Sequence, residues 1–146
     1  MTRLSAVILV IASVWMGLAP AVAQDMKEGD ATSKTAIIGV IEAQIAAFQN
    51  DDSATAFAQA SPGIRAYFGS PDRFMRMVRS SYSSVYRPRS VEFRRLLIVR
   101  GEPVQEVFFV GLDLTTMLAL YRMEQQPDGR WLINGVLVAD TKEQAT

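Results

Sequence analysis

The chain has 146 residues, 15 basic and 15 acidic side chains, and neither His nor Cys. That length suits one domain, and 49% hydrophobic with 9% aromatic residues excludes a disordered chain. Without Cys there is no disulfide or thiolate metal site; without His there is no Ser-His-Asp triad, His-based zinc site or imidazole proton shuttle.

The first segment reads as an export signal. Arg3 gives a positive start, Leu4 to Ala19 is an uncharged and mostly apolar run, and Ala21-Val22-Ala23 fits the small-x-small cleavage pattern. The run falls short of the ~20 apolar residues of a membrane span. Cleavage is expected after Ala23, removing residues 1–23 and leaving no stable membrane span in a periplasmic or secreted protein. No Cys follows the run, so a lipid anchor is excluded.

Residues 24–33 are polar and acidic without apolar rhythm and read as a disordered leader. Residues 34–140 read as the domain. Ile37, Ile38, Ile41, Ile45 and Phe48 recur at helical spacing, with Ser33 or Thr35 as caps. Asn50-Asp51-Asp52-Ser53 breaks that helix and offers caps to a short one over 54–60, anchored by Phe57. Ser61-Pro62 and Ser70-Pro71 each start a further helix, over about 62–68 and 71–80, the first stopped by Gly69. Ser80 to Pro88 reads as a linker.

From Arg89 the period changes to that of strands. Val91, Phe93, Leu97 and Val99 alternate, Gly101-Glu102-Pro103 turns the chain, and Val104 to Leu112 is rich in Val and Phe. Asp113 to Thr116 is a turn. Met117 to Gln125 alternates weakly; Leu, Met and Ala make a helix the rival reading, but the flanking turns suit a strand. Pro127-Asp128-Gly129 is a hairpin turn. In the last strand, Trp131 to Asp140, the residues Trp131, Ile133, Gly135 and Leu137 are expected on one face, with Leu132, Asn134, Val136 and Val138 on the other. Residues 141–146 are a polar tail. Helices followed by a four-stranded antiparallel meander make an α+β fold, with the long helix packed on a curved sheet.

The charges are segregated. Residues 24–60 hold two Lys and six acids, residues 61–100 hold nine Arg and two acids, and residues 101–146 hold three bases and seven acids. Near-cancellation of the totals favours pairing of the Arg residues with the flanking acids. The alternative is a cationic face for an anionic ligand, a lipid headgroup or an acidic partner. The mature chain is not basic overall, so no nucleic-acid partner is expected.

The stretches VIEAQIAAFQNDDSATAFAQASPGIRAYFGSPDRFMRMVRSSY, YRP and DGRWLINGVLV resemble the bacterial family catalogued as domain of unknown function 4864, over about 34–138. Its most specific parts here are Asp-Asp-x-x-x-Ala-Phe, Ala-Ser-Pro, Phe-Met-x-Met-Val-Arg and Trp-x-Ile-Asn-Gly. The family pattern leads one to expect a Gly-bearing turn between the second and third strands, where this chain has Asp113-Leu114-Thr115-Thr116. The resemblance implies an exported proteobacterial protein and no particular activity. The layout is also similar to cone-shaped, cystatin-like folds of the nuclear-transport-factor-2-like superfamily, in which helices over a curved sheet often leave a pocket. Some of those relatives are isomerases or cyclases and others only bind.

Three functions follow as expectations. The first is a non-catalytic accessory module for a small ligand or an envelope protein partner, as monomer or homodimer. Arg79, Tyr82, Tyr86 and Arg87 place cations and aromatics together for an anionic or planar ligand, and Tyr121, Trp131 and Asn134 would complete the pocket from the sheet. The second is a His-independent isomerase- or hydrolase-like enzyme. Its acid would come from Glu42, Asp52, Glu92 or Glu106, and its donor from Tyr67, Tyr82, Tyr86 or Tyr121. The third is an anionic-envelope-surface binder acting through the Arg-rich middle. No metal-ligand spacing, phosphate loop or dinucleotide fingerprint occurs, so no metal or cofactor is expected.

Overall fold

The computed structural model describes residues 26–139. The expected signal peptide and polar tail therefore lie outside the described residues. The chain runs β1 (Met26–Glu28), α1 (Ala31–Gln49), α2 (Ser53–Ala58), α3 (Pro62–Phe68), α4 (Pro71–Ser81), α5 (Ser83–Tyr86), β2 (Pro88–Val99), β3 (Glu102–Gly111), β4 (Thr116–Gln125) and β5 (Trp131–Ala139). The strands form one antiparallel sheet in sequence order.

The sheet has five strands rather than the expected four. Met26, Lys27 and Glu28 pair with Val99, Ile98 and Leu97, inside the segment read as a disordered leader. Three exposed residues carry no alternation for a sequence reading to detect. The strand exists because the β2 edge supplies backbone partners, and Gly29 N–H continues the contact to Leu96 O at 2.9 Å. Gly29 is needed there because a Cβ would fall 2.5 Å from Leu96 Cδ2.

Helix starts follow cap chemistry. Asp30, not Ser33 or Thr35, caps α1 by accepting from Ser33 N–H at 2.9 Å. Asp52 caps α2 through Thr55 N–H, and Ser61 and Ser70 cap α3 and α4 with Pro at their first positions. Gly69 ends α3 at φ 78°, where residues other than Gly are strained. The expected linker after α4 contains the single turn α5, which buries Ser84 and Val85.

The β2–β3 hairpin turns through Arg100 and Gly101, both at positive φ, between the paired Val99 and Glu102. In the β3–β4 turn Leu114 takes the positive φ (66°) where a Gly was expected. Asp113 Oδ1 holds that turn by accepting from Thr115 N–H and Oγ1 at 3.1 and 2.6 Å. Met117 to Gln125 is a strand, as the flanking turns indicated.

Besides a register shift at the start of β2, between Pro88 and Ser90, two bulges shape the sheet. One lies in β2 between Phe93 and Leu96. There the buried Gln105 donates Nε2 to the carbonyls of Arg94, Arg95 and Glu106. The other lies in β5, where Gly135 faces Arg122 and Ile133 faces Met123, leaving Asn134 as the extra residue. This corrects the expected faces of β5. Trp131 and Ile133 share the core side with Val136, which pairs with buried Tyr121, whereas Leu137 lies on the other side and is exposed. Gly135 sits at φ 152°, a conformation L side chains rarely adopt.

The core lies between the helices and the inner sheet face. Ile37, Ile41, Ile45 and Phe48 of α1 meet Val107, Phe109, Ala119, Tyr121 and Met123 of the sheet. Phe74 of α4 joins the layers, with ring centroids 6.1, 5.5 and 5.4 Å from those of Phe48, Phe57 and Phe68. No helix among the described residues is long and apolar enough to cross a membrane.

Candidate functional site

A cavity of about 390 Å³ lies between the helices and the β4–β5 side of the sheet. That volume is in the range of small-molecule sites. Gln44 and Phe48 line it from α1, Ile64, Tyr67 and Phe68 from α3, and Phe74, Met77 and Val78 from α4. Tyr82 and Val85 close the side nearest α5, and Tyr121, Ile133, Gly135 and Val136 form the sheet wall. No lining residue carries a charge. Tyr67 is 79% exposed, so the cavity opens beside α3.

Besides Tyr67 at the mouth, three polar groups interrupt the apolar wall. Tyr121 is 1% exposed, and its hydroxyl makes no hydrogen bond among the described residues. Burial, then the neighbouring Tyr82, pushes its pKa well above the ordinary tyrosine value. It therefore stays a protonated donor at any physiological pH. The Gln44 amide is 3% exposed; its Nε2 donates to Ala56 O at 3.2 Å, leaving Oε1 as an acceptor on the cavity wall. Tyr82 supplies the third.

The expected binding constellation is divided by the fold. Tyr82 and Tyr121 reach the cavity. Arg79, Tyr86 and Arg87 do not; they form a clasp around Asp51 at the end of α1. Asp51 accepts from Arg79 Nη2 at 3.1 Å, from Arg87 Nη2 at 3.0 Å and from the Tyr86 hydroxyl. The Arg87 guanidinium lies 4.3 Å from the Tyr86 ring centroid and donates to Phe48 O at 2.8 Å, at the helix C-terminus where a cation is favoured. The Tyr86 hydrogen bond, then Arg79 and Arg87, hold the Asp51 carboxyl below its ordinary value. Because both guanidiniums and the Tyr86 hydroxyl engage Asp51, this trio ties α1, α4 and α5 together.

Asn134 also has an internal role. Its Oδ1 accepts from Ser61 Oγ at 2.7 Å, while Ser61 Oγ accepts from Ile64 N–H at 3.3 Å. This pair pins the start of α3 to the β5 bulge. Trp131 packs on the core margin outside the cavity.

The candidate acids are elsewhere too. Glu42 is exposed on α1 and Asp52 caps α2. Glu92 pairs with Arg94, and Glu106 accepts both guanidinium bonds of Arg95, at 3.1 and 3.0 Å, on the outer sheet face. A buried-carboxylate mechanism thus has no carboxylate in this cavity. No group of metal-binding side chains occurs among the described residues.

The sequence reading missed Gln44, Met77 and Val136 as wall residues. Gln44 carried a usable signal, since it stands three residues after Ile41 and one turn before Phe48, a polar residue inside an apolar helical stripe. Val136 was hidden by the bulge.

No curated protein and no solved structure matches the chain. A family model described as a domain of unknown function (DUF4864) matches residues 30–146, all of the helical layer and the sheet beyond β1, and the chain therefore belongs to that family.

Proposed function

We propose that this protein is a non-catalytic accessory module of the bacterial envelope that holds a small, largely apolar molecule in the cavity between α1, α3, α4 and the sheet. The supporting observation is the Tyr121 hydroxyl. It has no protein partner among the described residues and stands as a donor on the cavity wall, so a bound acceptor would satisfy it. The uncharged walls favour an occupant whose buried part is neutral, with Gln44 Oε1 ready to accept from it. The export signal at residues 1–23 supports the periplasmic location.

An environment-sensitive, uncharged probe tests this reading. N-phenyl-1-naphthylamine is expected to bind the purified protein saturably at one site, with enhanced fluorescence. Val136→Trp and Met77→Trp would each fill the cavity and abolish that binding while far-UV circular dichroism stays unchanged. A wild-type protein with no saturable binding, or binding indifferent to both folded variants, overturns the proposal.

A further inference from the structure

The Arg-rich segment divides into paired and unpaired members. Arg79, Arg87, Arg94 and Arg95 meet carboxylates. Arg89 and Arg100, on β2 and in the turn after it, meet none among the described residues, and neither do Arg65, Arg73 and Arg76, which are exposed as well. These three stand on α3 and α4, the helices that wall the open side of the cavity. Arg65 follows the lining residue Ile64, and Arg73 stands one turn before the lining residue Met77. A Cβ added at Gly69 would lie 4.0 Å from Arg73 Nη1, so that guanidinium sits over the α3–α4 corner two residues beyond exposed Tyr67. The acid on these helices is Asp72, in the first turn of α4, and it makes no ion pair among the described residues.

We infer that the occupant is an anionic amphiphile. Its apolar body lies among Phe68, Met77 and Val136, and its carboxylate or phosphate rests on the rim at Arg73 within the field of Arg65 and Arg76. This rests on the cavity being a binding site. The neutral wall cannot compensate a buried anion, whereas the guanidinium fork fits a carboxylate or phosphate at the surface. An amphiphile satisfies both surfaces at once, and a wholly neutral ligand leaves the cationic rim without a use.

Competition against N-phenyl-1-naphthylamine separates the two readings. Dodecanoate is expected to displace the probe about tenfold more tightly than dodecanol at low salt, with the margin shrinking as salt rises. Shorter carboxylates should weaken by about fourfold per methylene removed. The triple variant Arg65→Gln/Arg73→Gln/Arg76→Gln should lose the margin while binding dodecanol and the probe as before. Native mass spectrometry after incubation with phosphatidylglycerol vesicles, or with free dodecanoate, tells whether the head belongs to a membrane lipid or a free acid. Equal binding of dodecanol and dodecanoate, or a margin that survives in the triple variant, overturns the anionic head and leaves the cavity reading standing. A wild-type protein that never binds the probe overturns both.

Discussion

Tyr121 carries opposite consequences for stability and for binding. Its ring fills the core beside Phe109, with centroids 6.5 Å apart, while its hydroxyl meets no protein partner among the described residues. Tyr121→Phe keeps the ring and removes a hydroxyl that has no protein partner among the described residues. The variant is expected to be at least as stable as wild type in urea unfolding at pH 7 and to bind acceptor-bearing ligands several-fold more weakly. The pKa adds a separate signature. The folded-state value lies above the ordinary 10.0. The protonated group therefore leaves stability intact below about pH 10, and stability falls as pH rises through the folded value, because the unfolded chain ionises first. Wild type should lose stability above pH 10 along a limb that Tyr121→Phe flattens. Identical alkaline limbs would mean that the hydroxyl reaches water freely.

At the scale of elements, the placement of α3 depends on Ser61. Its oxygen caps the helix and donates to Asn134, and its backbone N–H donates to Ile133 O at 2.9 Å. Ser61→Ala removes both side-chain bonds from a residue that is 0% exposed. A loss of about 2 kcal/mol is expected in denaturant unfolding, with probe binding weakened more than tenfold because α3 forms the mouth of the cavity. Ser70→Ala, which removes an exposed cap alone, is the control and should cost about 1 kcal/mol while largely sparing binding. Equal effects of the two on binding would show that α3 is held by packing alone. The two Ser-Pro steps were legible in the sequence because a cap and a Pro are local chemistry. So was the strand over Met117 to Gln125, because the turns that bound it are local chemistry too. Strand β1 was not legible, because three residues without pattern acquire their structure from the β2 edge. The face reversal after Asn134 was hidden for a similar reason: a bulge is a property of two strands together. The site suffered most, since its walls come from α1, α3, α4, β4 and β5, and no spacing within one segment records that juxtaposition. Arg79, Tyr86 and Arg87 looked like a ligand site because their partner, Asp51, stands 28 to 36 residues earlier.

For the whole molecule, the charges predict how stability varies with pH. The chain has no imidazole to titrate between pH 5 and 8. Its perturbed carboxyls are shifted downward. Asp30, Asp52, Asp113 and Asp128 are stabilised as anions by hydrogen bonds at caps and turns, and Asp51 by Tyr86, Arg79 and Arg87. A carboxyl whose folded pKa is depressed contributes stability above its unfolded value, here 3.8, and loses it as pH falls through the folded value. Stability should therefore be flat from pH 5 to 8 and decline below about pH 4. Asp51→Asn isolates the clasp's share. Asn tolerates the positive φ of 52° that Asp51 adopts, so the substitution removes charge without straining the backbone. The variant should melt at a lower temperature at pH 7, with the difference narrowing in high salt. Toward pH 2 the two proteins should converge, because protonation strips wild type of the same ion pairs. Since the clasp lies outside the cavity, probe binding at pH 7 should be nearly unchanged. A clasp variant that melts like wild type yet binds the probe poorly would assign Asp51, Arg79 and Arg87 to ligand recognition and remove the structural role given to them here.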